Sequence, residues 1–291
     1  MAAYSIIYLL IFLSSGVFAG LVYVLVTREP TSSWIKRFSG MQASGVNQAS
    51  SALLVLSIAF LLHDVSQIRQ KASETLLLEA DILRTLGRVS VNLSRDMGQP
   101  MLHLLAAYSD SVLHNDWPKM QRGFSGSMVL NYVQDGYGVG DGIRTHDSNN
   151  ATPVSLTKII AISDFVYSNL DRFGHPLISQ QMAASVQKLR ELRLQRLELS
   201  NKHPTFEKVL LGLFFSLNSI LVLLLTHADR PRALFAAVFL FSWLSLTSLF
   251  TVTIMHNPYA GTDPLGPSAI AAALERLRVM AGDVPLLVET R

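Results

Sequence analysis

The chain has 291 residues, 49% hydrophobic and 15% charged, with a formal net charge of +3. Soluble domains carry about 25% charged residues, and here the charge is missing in blocks, which is the mark of membrane spans rather than of one large soluble core. Cysteine is absent, which excludes disulfides, thiolate metal sites and cysteine nucleophiles, and the basic excess is too dispersed for a nucleic-acid interface.

Residues 5–26 form an uncharged apolar run, long enough for a spanning helix. The preceding Met-Ala-Ala-Tyr has no Lys or Arg, and the run continues past a weak cleavage site at Ala19. A retained anchor is therefore expected rather than a signal peptide. A polar connector follows, broken at Pro30 and Gly40.

Residues 50–88 read as one long helix, half in lipid and half in water. The stretch is apolar from Ala52 to Leu62, turns polar at His63 and Asp64, and meets neither Pro nor Gly before Gly87. A span needs about 20 residues. The span at 45–62 must therefore recruit Gly45, Asn47, Gln48, Ser50 and Ser51. Unpaired polar groups are costly in hydrocarbon, so these should face protein or a water-filled space. Leu54, Ile58 and Leu61 share one helical face and would form an apolar constriction. Asn47, Ser50, Ser51, Leu54, Ile58 and Leu61 are thus the candidates for lining a pore.

Residues 63–208 form the middle domain. Helices are expected over 101–113, 156–170 and 178–199, with Asp116-Trp117-Pro118 ending the first. Between them lies a Gly-rich loop, 123–153, in which Gly136, Gly138, Gly140 and Gly142 alternate. Neither their spacing nor their context fits a dinucleotide fingerprint. The histidines show no metal-ligand spacing, so no metal is expected. Glu79 sits among Leu76, Leu77, Leu78, Ala80, Ile82 and Leu83, with no cation four residues on. Either it is solvated, or it takes a partner from the stripe of Arg190, Arg193 and Arg196 in a structural ion pair. Nothing nearby supplies a nucleophile, and an enzyme is not expected.

Two further spans, 209–226 and 233–255, are joined by a link so short that they must form an antiparallel hairpin. The serines and threonines of the fourth span, from Ser242 to Thr253, either permit close helix packing or line a polar path. A turn and an amphipathic helix over 268–280 close the chain within 256–291. Four spans put both termini and the middle domain on one side, and the Lys and Arg distribution favours the cytoplasm of a cell (inner) membrane.

Four short motifs, in this order and at this spacing from the spans, resemble the bestrophin-like DUF4239 family of mostly bacterial membrane proteins. Glu79-Ala80 follows the second span. Tyr108 precedes Asp116-Trp117-Pro118, where relatives have Glu-Trp-Pro. Arg193 and Arg196-Leu197 precede the third span. Asn257-Pro258-Tyr259-Ala260-Gly261 follows the fourth. The resemblance implies an all-α membrane protein with four transmembrane helices in two pairs around a helical cytoplasmic middle domain. Through the distantly similar bestrophins it also implies a homo-oligomer, a pentamer, set in membrane lipid and passing small anions such as chloride. The second span would line its pore, and no cofactor is implied. Only Asp263 follows the turn where animal bestrophins carry a calcium-binding acidic cluster, so calcium gating is not expected. The alternative is a non-conducting scaffold or sensor whose helical domain binds a partner through the 123–153 loop.

Overall fold

The structure, a computed structural model, describes residues 2–28, 44–122, 154–201, 206–227, 230–260 and 263–282. The Gly-rich loop 123–153, Gly261 and the side chains of Asn47 and Ser50 lie outside the described residues. The described secondary structure is entirely helical. In chain order it comprises α1 (Ala2–Thr27), α2 (Ser44–Val91), α3 (Arg95–Ser111), a π-helical turn (Val112–Asp116) and α4 (Trp117–Arg122). It continues with α5 (Val154–Ser168), a 3-10 turn (Leu170–Arg172), α6 (Pro176–Ser200), α7 (Phe206–His227), α8 (Pro231–Met255) and α9 (Ser268–Ala281). Two compact units result, residues 1–67 with 203–256 and residues 68–202 with 257–291.

The first unit holds α1, the start of α2, α7 and α8. Four helices are long and apolar enough to cross a membrane, with candidate spans at Ile6–Thr27, Ser51–Val91, Val209–His227 and Pro231–Met255. At 1.5 Å per residue the 48 residues of α2 run about 72 Å, more than twice the hydrocarbon thickness. Only part of α2 can therefore lie in lipid, as the switch at His63 and Asp64 implies. Aromatic edges hold α1 antiparallel to α8: Tyr8 meets Phe250 at 5.4 Å, Phe12 meets Phe239 at 5.1 Å and Tyr23 meets Phe235 at 6.3 Å. Tyr8 Oη and Thr251 Oγ1 share a hydrogen bond of 3.0 Å. Gly212 brings α7 against α8, since a Cβ there would lie 2.9 Å from Leu249 Cδ2.

The inside of this unit is small and weakly polar, and its outside is apolar. Apart from His256, its buried polar residues among those described are all serines: Ser15, Ser57, Ser216, Ser219, Ser242 and Ser245. Leu10, Val17, Val55, Phe214 and Leu244 are exposed. In lipid, where no hydrophobic force drives helices together, small residues that allow close approach do that work. Ser242 and Ser245 serve this packing. Ser248, Thr251 and Thr253 return their hydroxyls to the carbonyls one turn back, at 2.8, 2.8 and 2.9 Å.

The second unit forms around the remainder of α2. Ile68, Ala72, Leu76, Ala80 and Leu83 make a buried stripe at helical spacing, joined by Met101, Leu105, Ile159, Ile162, Val186, Leu189, Ile270 and Leu277. Helix α3 packs on α9 and α5, and α5 packs on α6. The turn from α2 into α3 requires glycine, because a Cβ on Gly98 would fall on the Ser90 carbonyl oxygen. Pro176 and the His175 ring, which accepts from Leu177 N at 3.3 Å, start α6.

One boundary differs from the sequence reading. Asp116-Trp117-Pro118 does not end the helix. The backbone widens into the π turn and continues as α4. Pro118 has no N–H to donate and its ring would crowd the carbonyl four residues back, and the wider turn accommodates it without a break.

Candidate functional site

Glu79 lies on the buried stripe of α2, one residue before Ala80, and is fully buried. A carboxylate there must find compensation or fail to ionise. Tyr108, from α3, donates its hydroxyl to Glu79 Oε1 at 2.6 Å. Arg196, from α6, donates Nε to Oε2 at 2.8 Å and Nη2 to Oε1 at 3.3 Å, a two-pronged pairing. Nη2 of Arg196 also donates to Asp116 Oδ2 at 3.4 Å, and its Nη1 lies 3.4 Å from Met120 Sδ. Arg193, almost one turn earlier, donates Nη2 and Nε to Ser155 Oγ at 2.9 and 3.3 Å. Ser155 donates its hydroxyl to Asp116 Oδ1 at 2.7 Å. Arg193 Nε stands 3.9 Å from Asp116 Oδ2. Two acids and two guanidinium groups thus neutralise one another inside a helical core.

The π turn gives this cluster its second acid, since it swings Asp116 inward while Trp117 stays buried. The turn after α8 closes over the cluster. Asn257 donates Nδ2 to the Met120 carbonyl at 2.9 Å and accepts from Tyr259 N at 3.0 Å. The Tyr259 ring meets Trp117 edge-on, 5.4 Å between centroids. Pro258 accepts from Leu265 N at 2.9 Å, which folds the turn back toward α9. The sequence singled out Glu79, Arg193, Arg196, Tyr108, Asp116, Trp117, Pro118, Asn257 and Pro258, and these residues gather around this one cluster. Ser155 and Tyr259 complete it. Ser155 carried no signal, being one serine at the start of a helix whose partners lie 38 and 39 residues away.

Burial pushes the Tyr108 phenol well above its ordinary pKa, and the neighbouring Glu79 carboxylate adds to the rise. Burial likewise raises Tyr259. For Arg196, burial acts to lower the pKa, but the attractions of Glu79, Tyr108, Asp116 and Tyr259 together outweigh it and the net shift is upward. The phenols therefore stay neutral and the guanidinium charged at physiological pH. Side chains this fully enclosed do not meet a soluble substrate. Among the described residues no group of three or more His, Asp or Glu is placed to hold a metal.

The pore-lining candidates fall differently. Leu54 and Leu61 are 5% and 4% exposed, and Leu61 packs with Val65, Leu249 and Val252. Ile58 and Ser51 keep part of their surface. The opposite face of α2 carries Ala52, Leu56, Ala59 and His63 at spacings of four, three and four, all exposed. His63 and Gln67 share a hydrogen bond of 2.8 Å at the polar end of that face. Asp263, the first acid after the Asn257-Pro258 turn, pairs with Arg69.

No family model matches the sequence, and no curated protein matches it. Solved structures do. A point-mutant crystal structure of a bacterial bestrophin homolog from Klebsiella pneumoniae aligns with a TM-score of 0.63 at 12% identity, covering 93% of this chain and 99% of that one. A zinc-phased structure of a bacterial bestrophin homolog from the same organism gives 0.59 at 13%, with 95% and 99% covered. A crystal structure described as a membrane protein variant gives 0.59 at 13%, with 94% and 98% covered. The chain has the fold of the bacterial bestrophin homologs, an all-helical membrane architecture with four candidate spanning helices.

Proposed function

We propose that this chain assembles into a ring, a pentamer as the family resemblance implies, and passes small anions such as chloride along an axial path lined by α2. The membrane is the inner (cell) membrane, with both termini and the helical middle domain in the cytoplasm. Kinship with the DUF4239 family belongs to the same proposal, resting on Glu79, Tyr108, Arg196 and the Asn257-Pro258 turn.

The observation that carries the reading is the two-sidedness of α2. Its buried side, with Leu54, Ser57, Leu61 and Val65, is used for packing within the chain. A side chain that lines an axial path is exposed in the isolated subunit. Ile58 and Ser51 keep part of that exposure, and Leu54 and Leu61 give most of theirs to intrachain packing. The lining is therefore drawn chiefly from Ala52, Leu56, Ala59 and His63. These residues are apolar within the span and polar at its end, which suits a narrow dry constriction opening into an aqueous vestibule.

The lack of cysteine in the chain makes the test direct. Single cysteines at Ala59 and at Leu54 are compared in liposomes by anion flux before and after a charged thiol reagent. The reading expects block at Ala59 and little change at Leu54. Absence of flux from the unmodified protein in liposomes of several lipid compositions would favour the non-conducting scaffold or sensor.

A further inference from the structure

A cavity of about 300 Å³ opens on the surface of the membrane unit between α2 and α7, lined by Ser57, Phe60, Leu61, Asp64 and Leu211. The α2 residues recur at spacings of three, one and three, so they form one face of the helix. That face is graded. Phe60 is 63% and Leu211 49% exposed, while Ser57 and Leu61 form a buried floor. Asp64 stands where the apolar stretch of α2 ends, and Leu211 lies early in α7. At 1.5 Å per residue Ser57 sits about 10 Å along the helix from Asp64, on the side away from water. Gly212 of α7 faces this floor, where a Cβ would lie in ordinary contact, 3.9 Å from Ser57 Oγ and 3.8 Å from Leu61 Cδ1.

The chemistry of this cavity narrows its occupant. Its walls are aliphatic and aromatic, which suits an acyl chain. Its outer end carries a carboxylate, which attracts a cation and repels a free anion. A carboxylate has several acceptor sites and can take an ammonium donor in addition to partners it already has. The Ser57 hydroxyl lies at the depth of a lipid ester group, where it can donate. An apolar tail, an ester acceptor at its head and a primary ammonium about 10 Å further toward the water boundary describe an amine-headed phospholipid.

We propose that this cavity is a binding site for an aminophospholipid, phosphatidylethanolamine in chemical type, with its ammonium on Asp64 and its acyl chain against Phe60, Leu61 and Leu211. A primary ammonium donates three hydrogen bonds, whereas a quaternary choline donates none and a glycerol headgroup carries no cation. The site therefore selects among headgroups on identical tails.

The test is native mass spectrometry of the full chain purified from nanodiscs. The nanodiscs contain equal parts of phosphatidylethanolamine, phosphatidylcholine and phosphatidylglycerol with the same acyl chains. The ethanolamine lipid is expected to be retained over the other two by about three- to tenfold, the range that one partly desolvated charged hydrogen bond supplies. Asp64→Asn should abolish the headgroup preference while leaving a tail-bound lipid. Leu211→Trp, which fills the cavity and keeps the charge, should lower retention of all three. Equal retention of the three lipids by the unmodified protein, preference for the glycerol lipid, or a preference that survives both substitutions would each overturn the proposal.

Discussion

The two units solve the problem of buried polarity in opposite ways. In the unit of α1, α7, α8 and the start of α2, the described interior contains serines and one histidine and no buried Asp, Glu, Lys or Arg. In the other unit Glu79, Asp116, Arg193 and Arg196 are 0 to 1% exposed. A membrane-spanning bundle gains little by burying charge, because lipid does not penalise its apolar exterior and an ion imported into its core must be fully compensated. A helical domain in water can compensate, because several helices supply donors and acceptors at once. Its charge cluster links α2, α3, α5 and α6 through Glu79, Tyr108, Ser155 and the two arginines. A buried ion pair is strongly destabilising when broken and nearly neutral when replaced whole.

That contrast is broken most severely at its centre. Glu79→Ala or Arg196→Ala should lower the unfolding free energy by about 3–5 kcal/mol, measured by denaturant titration in detergent, because each strands a buried charge. Glu79→Met combined with Arg196→Met should cost much less than the sum of the two, and a double-mutant cycle reads the difference. Next come the neutral members. Tyr108→Phe removes the 2.6 Å bond to Glu79, and Ser155→Ala removes the link between Arg193 and Asp116. Each should cost about 1–3 kcal/mol.

Alkaline pH probes the same cluster without mutation. The folded-state pKa values of Tyr108 and Tyr259 are raised above the ordinary 10.0. Their neutral forms are favoured in the native protein, so their contribution is intact below about pH 10 and is lost as pH rises from there through the folded values. Thermal unfolding followed against pH should stay level with respect to these groups below about 10 and then fall. Tyr259→Phe should make the fall shallower. The smallest effect belongs to the exposed pair Arg69–Asp263, whose side chains are 31% and 77% exposed. Arg69→Ala should change stability by about 0–1 kcal/mol, and less still in high salt.

Much of this architecture could be read from the residues because membrane spans and helical stripes leave periodic signals. The uncharged runs located α1, α7 and α8 to within a few residues, and the absence of Pro and Gly before Gly87 marked α2 as one continuous helix. The cluster was half legible. A glutamate with no cation one turn on, embedded in leucines, has to pair elsewhere, and an arginine stripe at i+3 spacing offers a partner. Ser155 and the inward turn of Asp116 were not legible, since neither a single serine nor a π turn has a local sequence signature. Nor did the sequence separate the two faces of the apolar stretch of α2. Leu54, Ile58 and Leu61 share a face with exposed-looking spacing, and which face packs inward depends on Leu249 and Val252, nearly 200 residues away.

The central claim is that subunits assemble around α2. Single-particle imaging of the purified full chain in lipid nanodiscs tests it most directly. The account predicts a closed ring with α2 nearest the axis and Ala52, Leu56, Ala59 and His63 turned toward the opening. A monomer, a dimer, or a ring that places α1 or α8 on the axis would contradict it.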